Sequence, residues 1–387
     1  MDLDGVVLNG CAFIASVYLL QRGASLFTNN VAIVAQRCGA PGTLVALLTI
    51  GAEWEELAVV VASIVQRRPS LGLGSVVGCC VSNVMGVLAL GILFNADPIR
   101  FDLGAKIYSG ALFAVSTIFT LLAFTQQLDL TGGIFFIVGF AVYVFSICSA
   151  IYDGILDPEP EDVEELAADS PMVSHTPTEH QQLHVAIFPS VLQCHPNEAS
   201  ALLPVSEDYF PPVAPAQPLE PATTSVHALL ALVGLVALCI AAYVLAHAAG
   251  ALAACFHISN TLIGVTLVAV STTIPEKIVS IYSTWQRRTT IMTATTAGSN
   301  IFLLTLCVGI IFVTRQGSGD ADEGGPKAGN GLQTDSLGAF EVWSVWGCSL
   351  ILVLTTWFGA RRWLGALLFG LYVGFLGTEI TFLRDTM

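Results

Sequence analysis

Apolar residues run along this chain in long blocks separated by short polar breaks. The blocks fall at roughly 6–35, 42–65, 71–94, 105–125 and 131–153, and again at 226–254, 258–285, 289–314, 337–360 and 362–383. Each is near the ~20 residues a helix needs to cross a bilayer. The pattern therefore predicts an all-α polytopic membrane protein with about ten transmembrane helices. It fails between the fifth and sixth blocks, where residues 157–225 hold 12 of the 17 prolines, four of the seven histidines and the acidic run Glu159-Pro-Glu-Asp-Val-Glu-Glu165. Such a stretch cannot bury enough apolar surface to order itself, and it is expected to be a disordered linker. The chain divides into 1–156, 157–225 and 226–387.

Composition agrees with a core built in lipid: 54% of residues are hydrophobic and 11% charged. The formal charge of −15 belongs mainly to the linker region, because 13 of the 29 acids lie between Asp153 and Glu220, a span without Lys or Arg. No nucleic-acid partner is expected; an inert solvated spacer or a docking tail for a cytosolic partner both suit the linker. His180 and His184 within it are four apart, but prolines flank them and no second pair is near. The ten cysteines form no CxxC pair or regular spacing, so no disulfide framework follows. Met1-Asp-Leu-Asp-Gly lacks the positive start of a cleavable signal, so the first block is expected to remain as a helix.

Against this apolar background the buried acids stand out. Glu276 sits in Ser271-Thr-Thr-Ile-Pro-Glu276, beside a proline and inside an apolar block. On a helix Thr272, Glu276 and Ser280 share one face, with Thr273 flanking. Pro275 has no N–H, so the Ser271 carbonyl loses its helical partner and is free to bind something else. A hard cation wants such oxygens. Sliding the chain against itself by 220 residues places Glu56 on Glu276, Gln66-Arg67-Arg68 on Gln286-Arg287-Arg288, Ser63 on Ser283 and Gly78 on Gly298 without a gap. Repeated halves with interrupted apolar helices mark a secondary transporter with its site where the repeats meet.

Ser271-Thr-Thr-Ile-Pro-Glu276 with Gly298-Ser-Asn-Ile-Phe302 resembles the second alpha repeat of the calcium/cation antiporter superfamily, which includes the sodium/calcium exchangers. Gly51-Ala-Glu-Trp-Glu-Glu56 with Gly78-Cys-Cys-Val-Ser-Asn83 resembles the first repeat more loosely. The resemblance implies two inverted groups of five helices joined by a cytosolic linker. It also implies a midplane cation site of Glu56, Glu276, Thr272, Thr273, Asn83 and Ser299 with the Ser271 carbonyl. Cys79 stands where the family has a hydroxyl, Ala52 also lacks one, and Leu303 stands where the family commonly has Asp or Asn.

Span two carries Glu53, Glu55 and Glu56, costly in hydrocarbon unless they face a cavity or a partner. Glu53 replaces the family's serine and suits either a ligand role, restoring the charge missing at Leu303, or a pairing role. Glu55 points about 100° away from Glu56 and suits a structural or entrance role. Lys277 is left to pair with Glu53 or Glu55 or to snorkel away. Glu341 and Glu379 are expected at the interface, and Gly72, Gly74, Gly78 and Gly86 to serve close helix packing.

The function implied is secondary active antiport of Ca2+ against Na+ or H+, with transported ions and no cofactor, and no enzymatic activity. Close carboxylates repel, so protons compete with a metal ion for them. Manganese and magnesium also suit oxygen ligands. The alternative is a non-transporting membrane scaffold or sensor that presents the linker. With the linker set in the cytosol, seven Lys and Arg fall inside and five outside, so orientation rests mainly on the resemblance. The protein is expected in a membrane, the plasma membrane and an organelle such as the vacuole being equally open.

Overall fold

The computed structural model describes residues 3–39, 53–95, 98–101, 103–125, 127–152, 223–285, 289–317 and 337–385. The bulk of the expected linker, His180 and His184, Ala52 and Gln286-Arg287-Arg288 lie outside these residues. Among the described residues regular structure is helical apart from an isolated antiparallel bridge between Ile99 and Ala360. The helices are α1 (Leu3–Arg37), α2 (Trp54–Val65), α3 (Pro69–Phe94), α4 (Leu103–Phe124), α5 (Leu130–Tyr152), α6 (Thr224–Phe256), α7 (Asn260–Thr272), α8 (Ile274–Trp285), α9 (residues 289–317), α10 (Ala339–Phe358) and α11 (Arg362–Asp385). Every expected span holds helix, and seven helical runs among the described residues are long and apolar enough to cross a membrane; Leu130–Ser146 and Asn260–Thr272 are shorter apolar stretches.

Local chemistry sets the breaks. Arg67 adopts a left-handed φ of 56° after α2, and Pro69 then opens α3 at a position where its missing N–H costs nothing. The left-handed His257 ends α6, and the Ser259 hydroxyl caps α7 by accepting from the Leu262 N–H at 3.2 Å. Pro275 cannot donate into the preceding turn, and the helix breaks at Thr273 between α7 and α8. Three stretches widen to π-helix: Ser82–Leu88 in α3, Gly264–Val268 in α7 and Leu303–Cys307 in α9. Single π turns frequently sit at functional sites.

Burial separates shaft from shell. The apolar windows of α3 and α9 are 89% and 78% buried, against 17% for α1 and 28% for α4, so α3 and α9 form the centre. Outward faces carry exposed Leu8, Ile14, Phe145 and Phe358, as lipid contact requires. The helix pairs obey an exchange of halves: α1 packs on α6 and α4 on α10; α3 meets α7 while α9 meets α2; α5 lies on α9 while α11 lies on α3. Helices α3 and α7 cross at close range. A Cβ on Gly74 would come within 2.2 Å of the Thr261 carbonyl oxygen and one on Gly264 within 2.4 Å of that of Leu71, so bare backbones meet there.

Candidate cation site

Glu53 precedes the first turn of α2, and Glu56 lies within that turn. Glu276 lies in the first turn of α8, just past the break. The two turns flank the crossing of α3 and α7, α2 packing on α3 and α8 following α7. Glu56 is 2% exposed, and its Oε2 has no hydrogen-bond partner; Glu276 Oε2 is likewise buried and unpartnered. The carboxyls of Glu53 and Glu276 both lie close enough for their charge to bear on that of Glu56. Unsatisfied buried oxygens of this kind call for an explanation, and a cation supplies one. Among the described residues no three acidic, Cys or His side chains close on a single point, so the carboxylates are gathered but not drawn to ligating distance of one ion.

Thr272 is fully buried at the end of α7, its hydroxyl donating to the Val268 carbonyl at 3.2 Å. The Cys79 thiol joins the halves, 3.9 Å from Glu56 Oε1 and 3.6 Å from Thr272 Oγ1. Thr273 is turned elsewhere. Its hydroxyl bonds the Ala269 carbonyl at 2.6 Å and Ser82 Oγ at 2.7 Å, and it accepts from Lys277 Nζ at 2.6 Å. The Ser271 hydroxyl donates to Leu267 at 2.7 Å. Asn83 is buried and donates to Asn300 Oδ1 at 3.1 Å, while Asn300 Nδ2 donates to the Cys80 carbonyl at 3.1 Å. Ser299, also buried, neighbours Asn300 on α9. Asn300 was not among the residues singled out, although it stands in the Gly298-Ser-Asn motif that pointed to Ser299.

Several open assignments find places. With its amide turned so that nitrogen faces the carboxylate, Gln21 on α1 donates to Glu55 at 3.0 and 3.2 Å, a pairing that suits the structural role. Lys277 bonds neither Glu53 nor Glu55 and does not snorkel; it lies among Ser82, Thr273 and the ring of Tyr372. Ser280 spends its hydroxyl on the Val87 carbonyl at 2.9 Å, tying α8 to α3. Glu379 is 3% exposed with a buried, unpartnered Oε1, so α11 turns this residue into the protein. Leu303, where the family commonly carries an amide or acid, is fully buried in the apolar core at the start of the α9 π turn.

A helical membrane protein with acids from both halves gathered against its central crossing has the build of an ion transporter. The family model described as sodium/calcium exchanger protein matches residues 9–148 and 226–381, and the chain belongs to that family. No curated protein matches it. Among solved structures, native YfkE is similar at a TM-score of 0.61 and 14% identity, over 97% of this chain and 92% of that one. The sodium-calcium exchanger NCX_Mj soaked with Na+ and Sr2+ is similar at a TM-score of 0.53 and 16% identity, over 95% and 97%. These likenesses show the fold. The protein is a multi-pass integral membrane cation exchanger, not an enzyme, and the ions are its cargo rather than resident cofactors.

Proposed function

We propose that the protein is a secondary active antiporter that exchanges Ca2+ for Na+ or H+ by alternating access, its two five-helix halves rocking about the α3–α7 crossing, with residues 157–225 as a cytosolic tether open to a partner. The cation is held by Glu56 and Glu276 with Glu53, supported by Thr272 and the Ser271 carbonyl and by Asn83 and Ser299 on the two central shafts. The observation that carries this reading is the pair of buried, unpartnered carboxylate oxygens on Glu56 and Glu276, one from each half. Isolated charge is expensive in hydrocarbon and persists where a partner or a pathway answers it. Thr273 serves the site from a step away, since its hydroxyl is already engaged by Ser82 and Lys277.

The test is Ca2+ uptake into proteoliposomes containing the purified chain, under an imposed Na+ gradient or an imposed pH gradient. Uptake driven by one of these gradients supports exchange and identifies the counter-ion. No uptake under either, from correctly folded protein, would sink the transport reading and leave the scaffold alternative.

A further inference from the structure

Lys277 carries a positive charge into the middle of this assembly, and its surroundings are those of an ion. The Nζ donates to Ser82 Oγ at 2.8 Å and Thr273 Oγ1 at 2.6 Å and lies 5.3 Å from the centroid of the Tyr372 ring. The three partners come from three places: the π turn of α3, the break between α7 and α8, and α11. Ser82 also bonds Thr273 at 2.7 Å and the Tyr372 hydroxyl at 3.0 Å, so the cage holds together around the ammonium. Gly86 makes room for the stem, since a Cβ there would approach Lys277 Cε to 2.9 Å. Hydroxyl oxygens and an aromatic face are what a desolvated monovalent cation uses. Lys277 directly follows Glu276 on the first turn of α8, so the cage stands beside that carboxylate. The first half has Leu57 at the matching position, so only one half brings its own cation.

We propose that Lys277 is a tethered monovalent cation: its ammonium fills an alkali-ion subsite built from Ser82, Thr273 and Tyr372, and so fixes one countercharge of the transport site within the protein. This rests on reading the carboxylate cluster as the transport site. It follows that removing the ammonium opens the cage to Na+ or K+, and that the protein as it stands needs one monovalent ion fewer than it would with a neutral residue at 277.

The experiment uses the full chain purified in detergent, as wild type, Lys277→Met and Lys277→Gln. Thermal unfolding is followed in NaCl, KCl and choline chloride at equal ionic strength, without Ca2+. Both variants are expected to gain a rise in midpoint with Na+ or K+ beyond any the wild type shows, growing with the logarithm of ion concentration above half-saturation. The choice between the two salts identifies the ion. Adding Ser82→Ala to either variant should remove the gain. A variant that responds to salts as the wild type does, or a gain that survives Ser82→Ala, overturns the inference. If both variants are monodisperse only in Na+ or K+, the inference stands; if no salt restores either, the lysine is a structural tie and the inference falls. No Ca2+ movement enters this readout, so wild-type liposomes that fail to take up Ca2+ overturn the transport reading separately.

Discussion

Gly78→Ala adds one methyl group at the crossing on which the site depends. The new Cβ would stand 2.4 Å from the Val265 carbonyl oxygen, 2.6 Å from Ala269 Cβ and 2.8 Å from Val265 Cα, and two of these three atoms are backbone of α7. Carbon atoms settle at about 3.5 Å or beyond, so against the 2.6 Å approach α3 and α7 must part by roughly 1 Å. That separation falls one residue from Cys79, which links Glu56 to Thr272 across the crossing. Overpacking of this kind costs about 1–3 kcal/mol. Borne by the ion-holding state, the same energy is a loss of roughly 5–150-fold in affinity. Gly110→Ala on α4 is the control, because nothing lies within 4 Å of a Cβ there. In a helix that change should be neutral or stabilising. Ca2+ binding by calorimetry and thermal unfolding would be measured on both. Equal Ca2+ affinities for Gly78→Ala and Gly110→Ala would mean that the α3–α7 crossing does not set the site.

Ser280→Ala should lower stability by about 0.5–1.5 kcal/mol, the ordinary worth of one hydrogen bond, and leave Ca2+ affinity within twofold; a large affinity loss in calorimetry would make Ser280 a ligand. Deleting residues 165–215 should leave Ca2+ flux and the unfolding midpoint largely intact, since their composition cannot build a core; a chain that no longer folds would mean the segment is a structural domain. Glu53→Ser should weaken Ca2+ binding severely, and adding Leu303→Asp should recover part of it in titrations of the double variant. A double variant no better than Glu53→Ser would show that Leu303, buried in the core, does not open onto the site.

Much of the architecture was legible because lipid demands long apolar runs and leaves their ends polar. The break before Glu276 follows from the missing N–H of Pro275, and the packing role of Gly74 and Gly78 from the need of helices in lipid for close approach. The proposal that Glu56 and Glu276 act together came from the repeat and the family resemblance. What the sequence did not disclose depends on rotation and rotamer. The π turns at Ser82–Leu88 and Leu303–Cys307 leave no compositional trace, yet they rotate the residues that follow. Spacing could not identify the partners of Lys277, because its cage draws on Ser82 and Tyr372 from distant parts of the chain. Spacing put Thr273 beside Glu276 but could not show that its hydroxyl also accepts from Lys277. Asn300 was hidden for the same reason: its partners Asn83 and Cys80 lie in the other half.

The central claim is that Glu56 and Glu276, from opposite halves, hold one and the same ion. The most direct measurement is a double-mutant cycle on Ca2+ affinity, by calorimetry, with Glu56→Gln, Glu276→Gln and the two together. If both carboxylates grip one ion, either substitution alone removes most of the binding and the second adds little, so the effects fall short of additive by about 0.5–3 kcal/mol or more, as for groups sharing a partner. Losses that simply add would contradict the account, because they would place the two carboxylates at separate ions.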